Sequence, residues 1–496
     1  MKEYYFPKCL LPIHERPILF EIINYWIDSI DEVVIVLNRD SGEMIKEYVT
    51  KYFDKKIDIK YCYQEKKSGT FFAIKKAISI SKNRNFVLNW SDILLTKKID
   101  DYVPNSVFVT TKIPCRYKFD SEFVNMGKCV VSDTGIYGVF LIDNFPDEFY
   151  IIEDETECEV EILDKLNGKL FSKHVFENFI DIGDLQKYNQ IIRISDNNRA
   201  FGSHNEITFL EDFVIKNTSN EKLKDCEQNW YKNILFDFLP KVKSYDPLIL
   251  QKIKNSITLS EWLEINSCEK EWVVKEVFKL LNQIHFSKPF RDSNDEDSYY
   301  QYIQKTIDRL KRINFLFKDF ENNIIINGKQ YKNPIVLLEN NIDKIKSIFN
   351  KKFQIIHGDL QLSNILINDK KELFVIDPRG YFGNSRLYGD AMYDYAKLYY
   401  GFCGMWDKFS KGYNNVKYIN NNFILYPLID KKELKERRKI FFEEAKKVKY
   451  LEINEFKIDL LHAIIWLSVT DYISNDVLSS LYGYLNGTIL INKLFS

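Results

Sequence analysis

The sequence predicts an α/β protein built in two parts, and three observations carry that reading. Residues 1–190 alternate strand-like with helical runs; a polar motif at 355–380 sits against short apolar strands; and a turn-like stretch, Ser195-Asp-Asn-Asn-Arg199, separates the two patterns. The boundaries that follow are 1–192 for the first domain, 193–262 for a small lobe and 263–496 for a large lobe. At 496 residues each part is large enough to bury its own core.

In the first part the runs are Glu32–Leu37, Met44–Phe53, Ile57–Tyr63, Thr70–Ile80 and Phe86–Leu88, an alternation that argues for a mostly parallel sheet flanked by helices. In the second part, Phe213-Val-Ile-Lys216 is an apolar run ending in lysine, as a strand would be. An amphipathic stretch from Leu223 to Phe238 follows, with apolar residues at Trp230, Ile234 and Leu235. Phe353–Ile356 and Leu373–Ile376 read as a buried strand pair with the chemistry on the loops at its ends. The apolar stretch Leu460–Val469 is too short to span a bilayer and reads as a core helix.

The informative residues are His357-Gly-Asp359, Asn364 and Asp377. An aspartate can accept the proton of an attacking hydroxyl, an asparagine five residues on can hold a metal ion, and an aspartate ending the next strand can bind metal across the phosphates. The spacing therefore points to phosphoryl transfer from ATP with Mg²⁺: Asp359 is the candidate catalytic base, and Asn364 and Asp377 the candidate metal ligands. Such a site also needs a lysine for the nucleotide phosphates and an acid to orient it, for which Lys216 and Glu227 are the candidates. A phosphate-cradling loop falls at 199–205, where a single glycine leaves backbone amides with Ser203 and Asn205 to do the work. An adenine-binding hinge is expected near Leu250–Ile253.

His357-Gly-Asp359 through Asn364 to Asp377 resembles the catalytic loop of the aminoglycoside phosphotransferase and choline kinase family, related in fold to the protein kinases. The resemblance implies the same roles for Asp359, Asn364 and Asp377, and a bracing role for His357. Gly389-Asp390 to Leu398 resembles the start of the helix that follows the metal-binding segment. One departure is Pro378-Arg379-Gly380, where choline kinases usually continue with acidic and aromatic residues. Arg379 is left with two options, an anionic substrate group or a nearby acid such as Asp390 or Asp394. Tyr381, Tyr399, Tyr400, Trp406 and Trp466 could line an acceptor pocket; aromatics this frequent more often form core.

Four short elements of the first part, in order, are similar to the nucleoside-diphosphate-sugar pyrophosphorylase family, which includes phosphocholine cytidylyltransferases. They are Pro7-Lys8, Gln64 before Ser68-Gly69-Thr70, Asn89-Trp-Ser-Asp92, and Ile180-Asp181-Ile-Gly183. The resemblance implies that Lys8 contacts phosphate, that Gln64, Gly69 and Thr70 contact the base of CTP or another NTP, and that Asp92 and Asp181 hold Mg²⁺. Family members reach Pro-Lys only after an apolar strand and a glycine-rich loop, whereas this sequence begins Met1-Lys-Glu-Tyr-Tyr-Phe-Pro7-Lys8. Two outcomes stay open: a domain that activates the kinase product as a nucleotide conjugate, or a non-catalytic binding or dimerisation domain.

Together the resemblances imply an α/β protein with an N-terminal Rossmann-like nucleotidyltransferase sheet and a C-terminal two-lobed protein-kinase-like α+β domain. The implied function is phosphorylation of a small hydroxyl compound (sugar, alditol or amino alcohol), in a bifunctional enzyme of bacterial surface-polysaccharide or headgroup synthesis. A formal charge of −1, from 70 basic and 71 acidic residues, leaves no nucleic-acid footprint. Eight cysteines, at 9, 62, 115, 129, 158, 226, 268 and 403, have no C-x-x-C spacing and read as reduced thiols of a cytoplasmic protein. No membrane span is expected, and the oligomeric state, a homo-oligomer included, is left open.

Overall fold

The structure is a computed structural model. It describes residues 5–13, 16–64, 70–81, 83–99, 103–113, 115, 117–120, 123–126, 134–143, 172–183, 187–188, 191, 205–320, 323–412 and 416–495. Contacts divide the chain into two units, Met1–Asp196 with Asn475–Val477, and Asn197–Ser474 with Leu478–Ser496.

In the first unit the β/α alternation read from 32 to 63 forms a true β-α-β element. Strands Glu32–Leu37 and Asp58–Tyr63 pair in parallel, joined by the helix Gly42–Tyr52, whose Ile45, Tyr48 and Val49 lie on one buried face. The larger, six-stranded sheet departs from the mostly parallel expectation. Its central strand Gly135–Ile142 is antiparallel to Phe86–Asn89, Ser106–Thr110 and Tyr117–Asp120, and among the described residues only Ser172–Val175 joins in parallel, against Ser106–Thr110. Chain length explains the difference: Tyr117–Asp120 and Phe123–Met126 are two residues apart, which allows a hairpin but no crossover helix. Strand Gly135–Ile142 is buried throughout. Ile136, Phe140 and Ile142 pack on one face with Val107 and Val109, and Tyr137, Val139 and Leu141 on the other with Phe108. A separate pair, Phe179–Asp181 with Ile93–Leu95, sets Asp181 opposite Ile93 and thus beside Asp92.

The second unit opens with an antiparallel four-stranded sheet in the order Asn205–Phe209, Phe213–Thr218, Leu248–Gln251, Val242–Tyr245. The helix Glu221–Asn233 starts where the Asn220 side chain accepts the Leu223 amide, and it buries Cys226, Glu227, Trp230 and Tyr231. This helix is shorter than the expected 223–238: it stops at Asn233, Ile234 turns into the core, and Leu235 is 78% exposed. Phe236 and Phe238 stack on each other beyond the helix end, which accounts for their apolar character without a helical face.

After Gln251, within the stretch read as a hinge, the chain leaves the first sheet. Ser256–Thr258 pairs instead with Ile365–Asn368, which forms a hairpin with Leu373–Val375. The expected partner of Leu373–Val375 was the strand at 353–356. That strand, Lys352–Ile355, belongs to another sheet, between Arg291–Asp292 and Tyr388–Gly389. The run Ile365-Leu-Ile is the true hairpin partner, because the tight Asp369–Glu372 connection permits only adjacent strands to pair. Helices Lys270–His285, Ala391–Phe402, Lys431–Ala445 and Glu455–Tyr472 build the rest. The last buries Leu460–Leu467 on all sides, as its continuous apolar run requires. Among the described residues no helix is long and apolar enough to cross a membrane, and the six described cysteines are free.

Candidate functional site

Two sets of candidate residues converge, one in each unit. In the second unit, Lys216 lies on strand Phe213–Thr218 and Glu227 one turn into the following helix. The Lys216 Nζ donates to Glu227 Oε1 at 2.8 Å and to Asp377 Oδ1 at 2.9 Å. Burial works against the ammonium, but Asp377 and Glu227 outweigh it and raise the Lys216 pKa above the usual lysine value. Burial also pushes the Glu227 carboxyl up, to about 7, against the pull of Lys216.

Asp359 and Asn364 leave the chain between strand Lys352–Ile355 and the hairpin. The loop is held by backbone bonds that the sequence pattern makes possible. Asp394 accepts the amides of His357 and Gly358 at 2.9 and 2.7 Å, and His285 Nε2 lies 3.1 Å from the same carboxylate. His357 donates from Nε2 to Ile376 O at 2.9 Å and accepts the Asp359 amide at Nδ1, so its assigned tautomer is neutral; burial lowers its pKa further. Its ring ties the loop to the end of the hairpin. The Trp230 indole caps Ile356 O at 2.8 Å.

Asn364 donates its amide nitrogen to Asp359 O at 2.8 Å, which assigns its orientation and leaves the amide oxygen without a hydrogen-bond partner among the described residues. Ile376 N bonds Asn364 O at 3.0 Å, so Asn364 and Asp377 flank the same end of the hairpin. Asp377 has a left-handed backbone (φ 58°), and among the described residues its second carboxylate oxygen has no partner when Oδ1 takes Lys216. Free amide and carboxylate oxygens are hard donors, a set that fits Mg²⁺.

Asp359 is not alone. Lys397 Nζ lies 2.7 Å from its Oδ1. Burial would raise the Asp359 pKa, but Lys397 and Arg379 hold it down, to about 2. Lys397 comes from helix Ala391–Phe402, on the turn after Asp394, and the sequence reading missed it. The signal was the repeated placement of charge on that helix, Asp394 toward the loop and Lys397 three residues later on the same face. Arg379 meets neither Asp390 nor Asp394. Asp390 caps the helix through Met392 N and accepts from Asn350, and Arg379 reaches Tyr393 OH at 3.4 Å and lies over the Tyr381 ring. Of the aromatic candidates, Tyr399, Tyr400 and Trp466 are core, while Trp406 and Tyr381 are half-buried.

Gly380 is fixed by close approach. Its φ is +65°, and a Cβ there would lie 2.7 Å from Cys226 O and 3.1 Å from Trp230 Cβ, where the loop presses on the Glu227 helix. Gly380→Ala is expected to destabilise the protein by about 2 kcal/mol or more in denaturant titration, from combined strain and overpacking.

In the first unit, Lys8 starts a short 3₁₀ turn, and its Nζ donates to Gly183 O at 2.7 Å and lies 3.4 Å from Asp92 Oδ2. Gly183 N donates to Asp181 Oδ1 at 2.6 Å, and Lys187, not singled out from the sequence, pairs with Asp181 Oδ2. Lys8, Asp92 and Asp181 are thus brought together. Gln64 ends strand Asp58–Tyr63, its amide bonded to Leu37 O at 2.7 Å. Thr70 opens the helix Thr70–Ile80 and Asn205 opens its strand, but the side chains of both, with Gly69 and Ser203, lie outside the described residues.

No family model matches the chain. It is 26% identical over 262 residues to the bifunctional protein GlmU of Methanococcus vannielii, a match covering 51% of this chain and 54% of that protein. The chain thus spans about half the length of that curated relative, and 22% of the GlmU of Methanococcus maripaludis, at 32% identity over 95 residues. Similar solved structures include HddC from Yersinia pseudotuberculosis (17% identity, TM-score 0.30, covering 38% of this chain and 89% of HddC). They also include the choline kinase LicA from Streptococcus pneumoniae (12% identity, TM-score 0.35, covering 58% of this chain and 90% of LicA). Proteins similar to this chain include nucleotidyltransferases and choline-kinase-like proteins.

Proposed function

We propose that the second unit is an ATP-dependent kinase for a small hydroxyl compound, with residues 193–262 as its small lobe and 263–496 as its large lobe. The observation that carries this reading is one lysine, Lys216, bonded at once to Glu227 and to Asp377, with Asn364 at the same hairpin end and Asp359 on the adjoining loop. Lys216, oriented by Glu227, would hold nucleotide phosphates. Asn364 and Asp377 would hold Mg²⁺, which supplies charge neutralisation at the phosphates. The acceptor oxygen attacks the terminal phosphorus, the bond to the ADP oxygen breaks, and the hydroxyl proton passes to Asp359.

Residues 1–192 we read as a nucleotidyltransferase-like domain. Lys8 would meet phosphate, Asp92 and Asp181 would hold a second Mg²⁺, and Gln64, Gly69 and Thr70 would meet the base of CTP or another NTP. Ser203 and Asn205 are assigned to the ATP side of the kinase. The adjoining Lys8, Asp92 and Asp181 support this reading, since nucleotidyl transfer needs a cation and carboxylates for metal in one place. The product of one site would then be the substrate of the other, as synthesis of a surface-polysaccharide or headgroup donor requires.

The test is the full chain with ATP, Mg²⁺ and a panel of small alcohols and sugars, followed by mass detection of product, then of any CMP, UMP or dTMP conjugate. Stoichiometric ADP and a product heavier by one phosphoryl group are expected. Absence of both ATP binding and ATP consumption would overturn the kinase reading, and a phosphorylated product that no NTP converts would leave the first unit as a binding domain.

A further inference from the structure

Around Asp359 the second unit gathers more positive charge than phosphoryl transfer from ATP calls for. Lys305 and Arg309 lie on consecutive turns of helix Lys305–Ile313, Arg379 follows the hairpin, and Lys397 comes from helix Ala391–Phe402. Tyr302, one turn before Lys305, packs on Tyr393 with ring centroids 6.2 Å apart, and the Tyr393 hydroxyl meets Arg379 at 3.4 Å, which brings this end of the helix to the loop of Asp359; Arg379, Arg309, Lys397 and Asp359 are among the charges that act on Lys305.

Among the described residues only one of the four has a carboxylate in salt-bridge range, Lys397 with Asp359. Lys305 has a single weak polar contact, Gln301 Oε1 at 3.5 Å. Arg309 is bonded to Ser468, to its carbonyl at 2.8 Å and its hydroxyl at 3.0 Å; the nearest acid acting on it, Asp471, is itself engaged by Arg312 at 2.7 and 3.0 Å. Arg379 meets the Tyr393 hydroxyl and the Tyr381 ring and, among the described residues, no carboxylate in salt-bridge range. Four cations therefore face one carboxylate, an arrangement of like charges that costs stability unless something negative comes between them. Burial and its cationic neighbours depress the Lys305 pKa well below the lysine value, the mark of a cation short of a counter-charge.

Lys216, placed for the nucleotide phosphates, is bonded to Glu227 and Asp377, whereas Lys397 is on Asp359, so the cluster lies on the Asp359 side of the site. Beside it the Tyr400 hydroxyl is buried without a partner, a donor aimed at the same neighbourhood as Asp359.

Resting on the kinase reading, we infer that the hydroxyl acceptor carries an anionic group of its own, a phosphate or a carboxylate, received by Lys305, Arg309, Arg379 and Lys397. Choline and ethanolamine, being cations, are the wrong charge for this cluster.

The experiment compares glycerol 3-phosphate, D-glycerate and D-galacturonate with glycerol, choline and ethanolamine, using the full chain with ATP and Mg²⁺. An anionic compound is expected to exceed the neutral and cationic ones in kcat/KM by about tenfold or more, the scale of one charge-assisted hydrogen bond. Phosphate and carboxylate arms separate the two chemistries. In Arg309→Gln and Lys305→Met the KM of the preferred acceptor should rise by about tenfold, while the ATP Kd, titrated separately, stays within about twofold. A preference for choline or glycerol, or an unchanged acceptor KM in both variants, overturns the inference and leaves the kinase reading intact.

A second measurement needs no turnover. With a non-hydrolysable ATP analogue saturating the nucleotide site, inorganic phosphate or malonate should raise the Tm of the wild-type chain and not that of Arg309→Gln. Equal responses in the two proteins, or none in either, overturn the inference as well. Failure to bind the ATP analogue at all counts instead against the kinase reading.

Discussion

Asp359→Asn is expected to lower kcat for phosphoryl transfer by about 10²- to 10⁴-fold while ATP still binds, because the change removes the proton acceptor and leaves Lys216, Asn364 and Asp377 in place. The same variant should be less stable at pH 7. Asp359 has a folded pKa of about 2, below its usual 3.8, so its contribution is present above about pH 4 and is lost as pH falls toward 2. That difference corresponds to an upper bound on the order of 2 kcal/mol, since the side chain is 28% exposed. Without it Lys397 faces Arg379, Lys305 and Arg309 with no counter-charge. Thermal unfolding of wild type and variant at pH 7 and pH 3 checks this: the gap between the two should close at the lower pH.

Lys216→Met should be as damaging to activity and more damaging to the fold. Lys216 and Glu227 are 7% and 8% exposed, so breaking the pair strands a buried carboxylate, at a cost of about 3–5 kcal/mol. The sign with pH is opposite to that of Asp359. Burial has already raised Glu227 to about 7 from 4.5, and loss of Lys216 raises it further. The folded state then favours the protonated acid, a contribution present below about pH 4.5 and lost as pH climbs through the folded pKa. The variant should therefore be closer to wild type at pH 6 than at pH 8.5 in denaturant titration. The double change Lys216→Met with Glu227→Leu should recover stability but not ATP turnover, which separates packing from phosphate binding.

Much of the site was legible in the chain because its parts carry local signals. Lys216 ends an apolar run and Glu227 sits eleven residues on, so strand and helix could be placed separately, and the structure bonds the two side chains. Asp359 and Asn364 share one loop, where spacing alone constrains geometry. The strand pairing was harder. Two apolar runs, at 353 and 365, compete for the strand at 373, and only the tight connection between Asn368 and Leu373 decides in favour of the second.

Least legible were the residues that meet Asp359 from afar. Lys305, Arg309 and Lys397 lie 54, 50 and 38 residues from it along the chain, and each reads as an ordinary solvated helix cation until the helices pack. Arg379 gave a hint, being a cation where the resemblance leads one to expect an acid, yet its surroundings could not be read from neighbours in sequence. The reach of Leu235 was misjudged for the converse reason: an apolar residue continuing a helical period was taken for the buried face, and the helix had ended two residues earlier.

The most direct measurement is anomalous scattering from crystals of the full chain grown with Mn²⁺ and a non-hydrolysable ATP analogue. The account predicts a metal peak within coordination distance of the Asn364 amide oxygen and an Asp377 carboxylate oxygen, with Lys216 on the nucleotide phosphates and Asp359 facing the terminal one. A nucleotide bound elsewhere in the second unit, or a metal that touches neither Asn364 nor Asp377, would contradict it.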